Sequence, residues 1–139
     1  MTAEENMLPP DNFQETPLPV IAHRTSPTNI GLALLATLAA RDFGFISSRG
    51  LIERTRSTFD TLRLLPRHRG HFFNWYDTRT LLPLAPRYVS TVDSGNLAAH
   101  LLTLRAGLNS LPNQPVAGPC LFAGLADTLA QIEERASGE

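Results

Sequence analysis

The most informative absence in this 139-residue chain is lysine, because all 12 basic residues are arginine. Schiff-base chemistry and a lysine-bearing phosphate loop are therefore excluded. A single cysteine, Cys120, excludes an intramolecular disulfide and a four-thiolate zinc site within one chain. The four histidines lack metal-ligand spacing, so we expect no metal and no cofactor. A formal net charge of −1 gives no electrostatic reason to expect nucleic acid as a partner.

Long apolar runs are also scarce in the sequence. The longest, residues 30–40, ends at Arg41 and falls short of the ~20 residues that a membrane-spanning helix needs. Glu4 and Glu5 stand where a signal peptide would carry basic residues. We expect a soluble chain, cytoplasmic on its own, that does not insert into a membrane. Its hydrophobic content of 42% is sufficient for one domain with a real core.

Two helices are predicted in the first half of the chain. Ser26 and Pro27 are typical of an N-cap and a first helical position, and the helix should run to about Asp42. It is apolar on nearly every side, so we expect other elements to cover several of its faces. A second helix is predicted from after Ser47 to Leu65, with an apolar face opposite an arginine-rich one.

Two more helices are predicted in the second half. The third spans about 94–108, and Asp93 and Ser94 are placed to cap its first turn. The fourth begins at Pro119 and leads into a polar tail over residues 133–139. Its regularly spaced apolar residues predict a face directed into the core. These residues are Phe122, Leu125, Leu129 and Ile132.

A polar and aromatic segment, residues 70–96, interrupts this helical pattern. It contains the only tryptophan, Trp75, and both tyrosines. Strand-like stretches at 72–76 and 87–92 predict one short β-hairpin that leads onto the third helix. Residues 1–20 contain four prolines and should form an extended segment packed on the domain, with no element of its own.

Several side chains of these segments are candidates for chemistry. Asp77 and Asp93 resemble the carboxylate pair that glycosidic chemistry requires, but Asp77 equally suits a turn and Asp93 a helix cap. Trp75 is suited to stacking on a sugar ring, or to a place in the core. Arg24 and Arg79 can grip hydroxyls through their planar guanidinium groups, or pair with nearby acids.

Five stretches of the chain are long and distinctive. They are GHFFNWYDTRTLLPLAPRYVSTVDSGNLAAHL (70–101), LPPDNFQE, AHRTSPTNIGL, ARDFGFIS and NQPVAGPCLFAGLADTL. Together they closely resemble the middle, glycoamylase-like region of bacterial cyclic β-1,2-glucan synthases, from Leu8 to about Leu129. Those are very large inner-membrane proteins in which a glycosyltransferase module elongates the glucan. Their middle region cyclises it by retaining transglycosylation.

The resemblance implies a mainly α fold: a partial (α/α)6 barrel of about four helices with one short β-hairpin, in residues 21–132. The family's two catalytic carboxylates lie further along than this chain reaches, so we expect no catalytic residue here and no activity of the chain alone. The implied partners are β-1,2-glucan and the remainder of the synthase, with the missing barrel helices. The residues implied to bind substrate are Arg24, Asn29, Trp75, Asp77, Arg79, Asp93 and Asn96.

A second interpretation of the sequence is a stand-alone helical interaction module. In this case the chain is a truncated, non-catalytic gene product that folds by pairing its exposed apolar faces. The apolar helix that begins at Pro27 would then drive self-association, because monomers rarely tolerate large contiguous apolar patches.

Overall fold

A computed structural model describes residues 1–137, which are mainly helical. The four helices are α1 (Pro27–Asp42), α2 (Ser48–Leu64), α3 (Thr91–Ser110) and α4 (Pro119–Ser137), with a 3-10 helix at Leu111–Asn113. The strands are β1 (Phe13–Gln14), β2 (Val20–Ile21), β3 (Arg24–Thr25), β4 (Arg67–His68), β5 (His71–Phe72) and β6 (Tyr76–Asp77). The prediction of a mainly α chain with about four helices is confirmed.

The first two helices begin and end where their sequence signals predict. The Ser26 hydroxyl accepts a hydrogen bond from the Asn29 amide at 3.2 Å, and Pro27 occupies the first turn of α1. The Ser47 hydroxyl caps α2 in the same way. Just beyond α1, Gly44 has a φ of +81°, a conformation that favours glycine and ends the helix.

Helix α1 is the centre of the fold and packs against both α2 and α3. Its buried face contributes Ile30 and Leu34 to the core, whereas Leu32 on another face is half exposed. Tyr76 is fully buried, and its hydroxyl donates to the Pro66 carbonyl and accepts from the Phe73 amide, each at 2.7 Å. The buried core cluster consists of Leu8, Ile30, Leu34, Leu62, Leu65, Tyr76 and Leu104.

The N-terminal segment is tied to α2 rather than lying loosely on the surface. Leu8 is fully buried in the core. The hydroxyls of Thr58 and Thr61 on α2 donate to the carbonyls of Met7 and Asn6, at 3.2 and 2.6 Å. The segment also contains β1, which pairs with β2, so the prediction that it forms no element is wrong.

The predicted hairpin between residues 72–76 and 87–92 is also wrong in its strands. The described residues contain three two-stranded antiparallel sheets, in which β1 pairs with β2, β3 with β6 and β4 with β5. The chain does fold back after Trp75, since the Leu84 amide donates to the Trp75 carbonyl at 2.9 Å. However, Pro83 and Pro86 lack the amide hydrogens that a longer ladder requires, so the return path is irregular.

Helix α3 begins earlier than predicted. The Ser90 hydroxyl accepts a hydrogen bond from the Asp93 amide at 3.1 Å, which makes Ser90 the N-cap and places Asp93 inside the first turn. The predicted cap at Asp93 or Ser94 is therefore wrong. Several residues before the helix have cap chemistry, and the earliest of them is used. The negative charge of the Asp93 carboxylate still interacts favourably with the positive end of the α3 dipole.

The predicted inward face of α4 is wrong as well. Phe122, Leu125, Leu129 and Ile132 are 64%, 55%, 50% and 59% exposed, because no other helix of residues 1–137 packs over them. Residues 133–137 of the predicted polar tail continue the helix, and the rest of that tail lies outside the described residues. Within residues 1–137, no helix is long and apolar enough to cross a membrane.

Candidate functional site

The candidate site forms where the N-terminal ends of α1 and α3 meet the polar and aromatic segment. Strands β3 and β6 are antiparallel, with Arg24 opposite Asp77 and Thr25 opposite Tyr76. Because β3 leads directly into α1, this pairing holds the first turn of α1 beside Trp75. Side-chain hydrogen bonds of Thr28 with Asp93 and Asn96 join the N-terminal ends of α1 and α3.

One half of the site is built around Arg24. Its Nε and Nη2 atoms donate to the Oδ2 atom of Asp11 at 3.1 and 2.9 Å. The other oxygen of Asp11 accepts from the side-chain amide of Asn29 at 3.1 Å. The guanidinium carbon of Arg24 lies 4.9 Å from the centroid of the Trp75 ring, which is a cation–π distance. Asp11 thus holds the arginine over the indole.

The other half of the site is built around Asp93. Its Oδ1 atom accepts from the Thr28 hydroxyl at 2.6 Å, and Thr28 accepts in turn from the side-chain amide of Asn96 at 3.1 Å. In the orientation that satisfies its neighbours, the Asn74 amide nitrogen donates to Asp93 Oδ2 at 2.7 Å. Asp93, on α3, is therefore held by groups from the other two converging segments.

Asn74 connects the two halves. Its amide oxygen accepts from the indole nitrogen of Trp75 at 2.5 Å and from the hydroxyl of Tyr88 at 2.8 Å. Asn74 is buried, Trp75 is half buried and Tyr88 is exposed, so the network runs from the interior to the surface. We call this network the Trp75 cluster. It consists of Asp11, Arg24, Thr28, Asn29, Asn74, Trp75, Tyr88, Asp93 and Asn96.

The structure places Asp77 and Arg79 outside the Trp75 cluster. Asp77 accepts hydrogen bonds from the backbone amides of Arg79 and Thr80 at 2.9 and 2.8 Å, which is the geometry of an Asp-led turn. The hydrogen bond from the Thr80 amide lowers the pKa of Asp77, and the hydrogen bond from the Arg79 amide lowers it further. Together they outweigh partial burial, which would raise this pKa. The backbone carbonyl of Arg79 accepts a hydrogen bond from the side-chain amide of Asn6, and the Arg79 side chain is exposed.

A second, buried network lies on the other side of β3. The Glu5 carboxylate accepts from the Thr78 hydroxyl and contacts His23 Nδ1 at 2.7 Å. Burial alone would raise the pKa of Glu5. The hydrogen bonds of Thr78 and His23, with the charges of His23 and Arg79, outweigh burial and bring this pKa below its ordinary value of 4.5. This network anchors the N-terminal segment beside β3, which carries Arg24, and β6, which follows Trp75.

The residue types of the Trp75 cluster would suit a binding surface. It combines a half-buried aromatic ring with a guanidinium and amide groups, which suit recognition of hydroxyl-rich ligands. A general acid needs a raised pKa, whereas the pKa of Asp77 is lowered. Each carboxylate oxygen of Asp93 already accepts a hydrogen bond. Among residues 1–137, no three His, Cys, Asp or Glu side chains are grouped to hold a metal ion.

Five of the seven residues predicted to bind substrate thus come together: Arg24, Asn29, Trp75, Asp93 and Asn96. The predictions from sequence did not include Asp11, Thr28, Asn74 or Tyr88. Asn74 and Tyr88 lie within the distinctive 70–101 stretch, which offered a signal for them. Asp11 is separated from Arg24 by a proline-rich loop, and its role becomes visible only in the folded chain.

Comparison with known proteins confirms the resemblance noted from the sequence. The chain is 55% identical, over 137 aligned residues, to the cyclic beta-(1,2)-glucan synthase NdvB of Rhizobium meliloti (strain 1021). The match covers 96% of this chain and 5% of that protein, so the chain spans a small part of the relative's length. No protein-family model matches the chain.

Proposed function

We propose that this chain is part of a cyclic β-1,2-glucan synthase and that the Trp75 cluster lines part of its glucan-binding cleft. The observation that carries the proposal is the 55% identity to NdvB over nearly the whole chain. The local geometry supports it, because residues that are far apart in sequence converge on one tryptophan. Glycosyl transfer and cyclisation are activities proposed for the complete synthase.

The geometry suggests how the cluster would hold a glucan. Because Arg24 lies over part of the Trp75 ring, a glucose unit would stack on the uncovered part of the indole and meet the guanidinium at its edge. Arg24 is exposed, and one of its nitrogens, Nη1, makes no hydrogen bond within residues 1–137, so it is available to a sugar hydroxyl. Asn29 and Asn96 are only partly buried and would add amide contacts.

We propose no catalytic role for this chain by itself. Asp77 is committed to a turn and Asp93 to the contact between helices, so neither matches the acid or nucleophile of a glycosidase. Incubation of the purified chain with linear β-1,2-glucan should yield neither cyclic nor shortened products. Accumulation of either product would contradict this part of the proposal.

The remainder of the synthase is the second proposed partner, since it would supply helices to complete the domain. The alternative function is the stand-alone helical interaction module. One observation favours it: α4 exposes Phe122, Leu125, Leu129 and Ile132 on one side. Glucan binding by the isolated chain separates the two functions, because an interaction module needs no sugar site.

The proposal is tested by substitution at the equivalent positions of a full-length synthase. Arg24→Gln should slow cyclisation about tenfold while the melting temperature stays within a few degrees, since the side chain is exposed and its loss removes a ligand contact. Asp77→Asn preserves the turn, because Asn accepts the same backbone hydrogen bonds. A slower Asp77→Asn enzyme would therefore add Asp77 to the glucan site.

Arg49→Gln is the matched control, because Arg49 is an exposed arginine on α2 that pairs with Glu53 and with no other acid in the described part of the chain. Equal cyclisation rates for the wild type and Arg24→Gln would contradict the cleft assignment. A parallel loss in the Arg49 variant would show that the assay reports general damage instead.

A further inference from the structure

Helix α4 carries an apolar stripe that no other element of residues 1–137 covers. Phe122, Leu125, Leu129 and Ile132 follow at intervals of three, four and three residues, which places them on one face of the helix. Each is at least half exposed, and the only buried residue of α4 is Gly124, on another face. An amphipathic helix with an exposed apolar stripe is typical of a docking element.

A groove of matching character lies between α2 and α3. Both helices pack on α1 but not closely on each other, which leaves two adjoining pockets that share Phe59 and Leu108. Ile52 and Leu101 extend the apolar lining at either end. At about 1.5 Å per residue, the helix segments that border the groove and the stripe of α4 are all about 10–16 Å long.

The charges at the borders of the stripe and the groove are complementary. On α4, Glu133 follows Leu129 by four residues and Arg135 follows Ile132 by three, so the two charges border opposite sides of the stripe. In the groove, Arg105 stands on the α3 side, whereas Arg56, Asp60 and Arg63 stand on the α2 side, where Asp60 is paired with Arg63. The groove therefore carries three arginines and one aspartate, whereas α4 carries three acids and one arginine. A helix that places Glu133 beside Arg105 joins opposite charges.

We propose that the apolar stripe of α4 docks into the α2–α3 groove of a second copy of this chain, with reciprocal exchange giving a two-fold dimer. The chain's own α4 does not reach its own groove. It crosses the end of α1, where a Cβ on Gly124 would lie 2.6 Å from the Phe43 carbonyl oxygen. Reciprocal exchange creates two identical interfaces and covers both apolar surfaces at once.

This inference goes beyond the glucan proposal and does not depend on it, since no residue of the Trp75 cluster is involved. A membrane surface is a different class of partner for an amphipathic helix. It is disfavoured because helices that bind anionic membranes carry Lys or Arg on the polar face, whereas α4 carries Asp127, Glu133 and Glu134 against Arg135.

The first test is the oligomeric state of the 139-residue chain by sedimentation velocity. The wild type should form a dimer, and Leu125→Asp with Leu129→Asp should give a monomer, because carboxylates cannot enter the apolar groove. Leu18→Asp is the matched control: Leu18 is 69% exposed in the loop between β1 and β2 and should leave the dimer intact. Circular dichroism should remain helical for each variant.

A charge exchange gives the sharper test. Arg105→Glu and Glu133→Arg should each weaken the dimer by roughly tenfold or more on its own. An equimolar mixture of the two variants should restore it, since each mixed interface then joins opposite charges. Arg54→Glu, on the opposite side of α2, should have no effect.

Three outcomes would overturn the proposal: a monomeric wild type, a dimer that both charge variants leave unchanged, or no recovery in the mixture. Binding of the wild-type chain to vesicles of anionic phospholipid, with no dimer in solution, would favour the membrane surface instead.

Discussion

Apolar side chains are buried in the body of the molecule, residues 1–110, but exposed on helix α4. In the body, Leu8, Ile30 and Tyr76 are fully buried, and the polar groups of the Trp75 cluster are hydrogen-bonded to one another. In α4, Leu125 and Leu129 are at least half exposed. Both regions are helical, so helix formation alone does not explain the difference.

The difference teaches that the two regions draw their stability from different sources. The body is held by its own core and by hydrogen bonds between distant segments, such as Thr28 with Asp93. An isolated helix of this length is marginal in water, because most helical stability in proteins comes from packing of the apolar face. Because its apolar stripe is uncovered within residues 1–137, we expect α4 to need a further packing surface, such as the one in the proposed dimer.

The largest effect is expected from the core. Tyr76→Ala should lower the free energy of unfolding by about 3–5 kcal/mol, because it opens a cavity and leaves the Pro66 carbonyl and Phe73 amide unpaired. Urea denaturation followed by circular dichroism measures this loss. A loss of unfolding free energy below about 1 kcal/mol would mean that the body is loosely packed. The body and α4 would then not differ in how their apolar side chains contribute to stability.

The next effect concerns the buried Glu5 network and is pH-dependent. The pKa of Glu5 is lower in the folded chain than its ordinary value of 4.5, so the unfolded chain takes up this proton first as the pH falls. The stabilisation is present above about pH 5 and is lost as the pH falls through the folded pKa. Glu5→Gln should flatten this dependence and cost about 1–3 kcal/mol at pH 7.

Glu4→Gln is the matched control for this measurement, since Glu4 is the exposed neighbour of Glu5. Unfolding free energies from pH 3 to pH 7 should keep their slope in the Glu4 variant. An unchanged slope in the Glu5 variant would contradict the role assigned to this carboxylate.

A smaller effect is expected from a substitution at the contact that attaches α4 to the body. Gly124→Ala places a methyl group 2.5 Å from the backbone carbon of Gly44, and neither backbone can yield easily. It should loosen α4 while the rest of the chain stays folded, seen as faster amide hydrogen exchange confined to residues 119–137. Gly50→Ala in α2 meets only ordinary contacts and should stabilise by about 0.5–1 kcal/mol.

The smallest effect is expected on α4 itself. Leu129→Ala should change the unfolding free energy of the body by less than about 0.5 kcal/mol at concentrations where the chain is monomeric, because the side chain is already half exposed. A cost of several kcal/mol under those conditions would show that the stripe packs within its own chain. It would also remove the contrast between the two regions.

The sequence predicted best where the signals are local. Ser26 with Pro27, Ser47 and Gly44 bounded the first two helices correctly, because each acts on its immediate backbone. It failed where contacts join distant segments. The pairing of Arg24 with Asp77 leaves no local trace, and strand propensity depends strongly on such context.

The same limit explains the error on α4 and the residues that were missed in the Trp75 cluster. Periodicity correctly indicated that the apolar residues of α4 share a face, but it carries no information about what covers that face. In the site, residue type pointed to Trp75 and Arg24, which do meet. The partners that hold them, Asp11 and Asn74, depend on the folding of two separate loops.

The most direct test of the central claim uses the intrinsic fluorescence of Trp75, the only tryptophan of the chain. Titration with linear β-1,2-glucan should change its emission saturably, and β-1,3-glucan of equal length should not. Arg24→Ala should weaken the interaction about tenfold to a hundredfold, the scale of a hydrogen bond to a charged group, whereas Arg49→Ala should not. Emission that stays constant at millimolar glucan, or equal affinities for the two variants, would contradict the assignment of the Trp75 cluster to the glucan cleft.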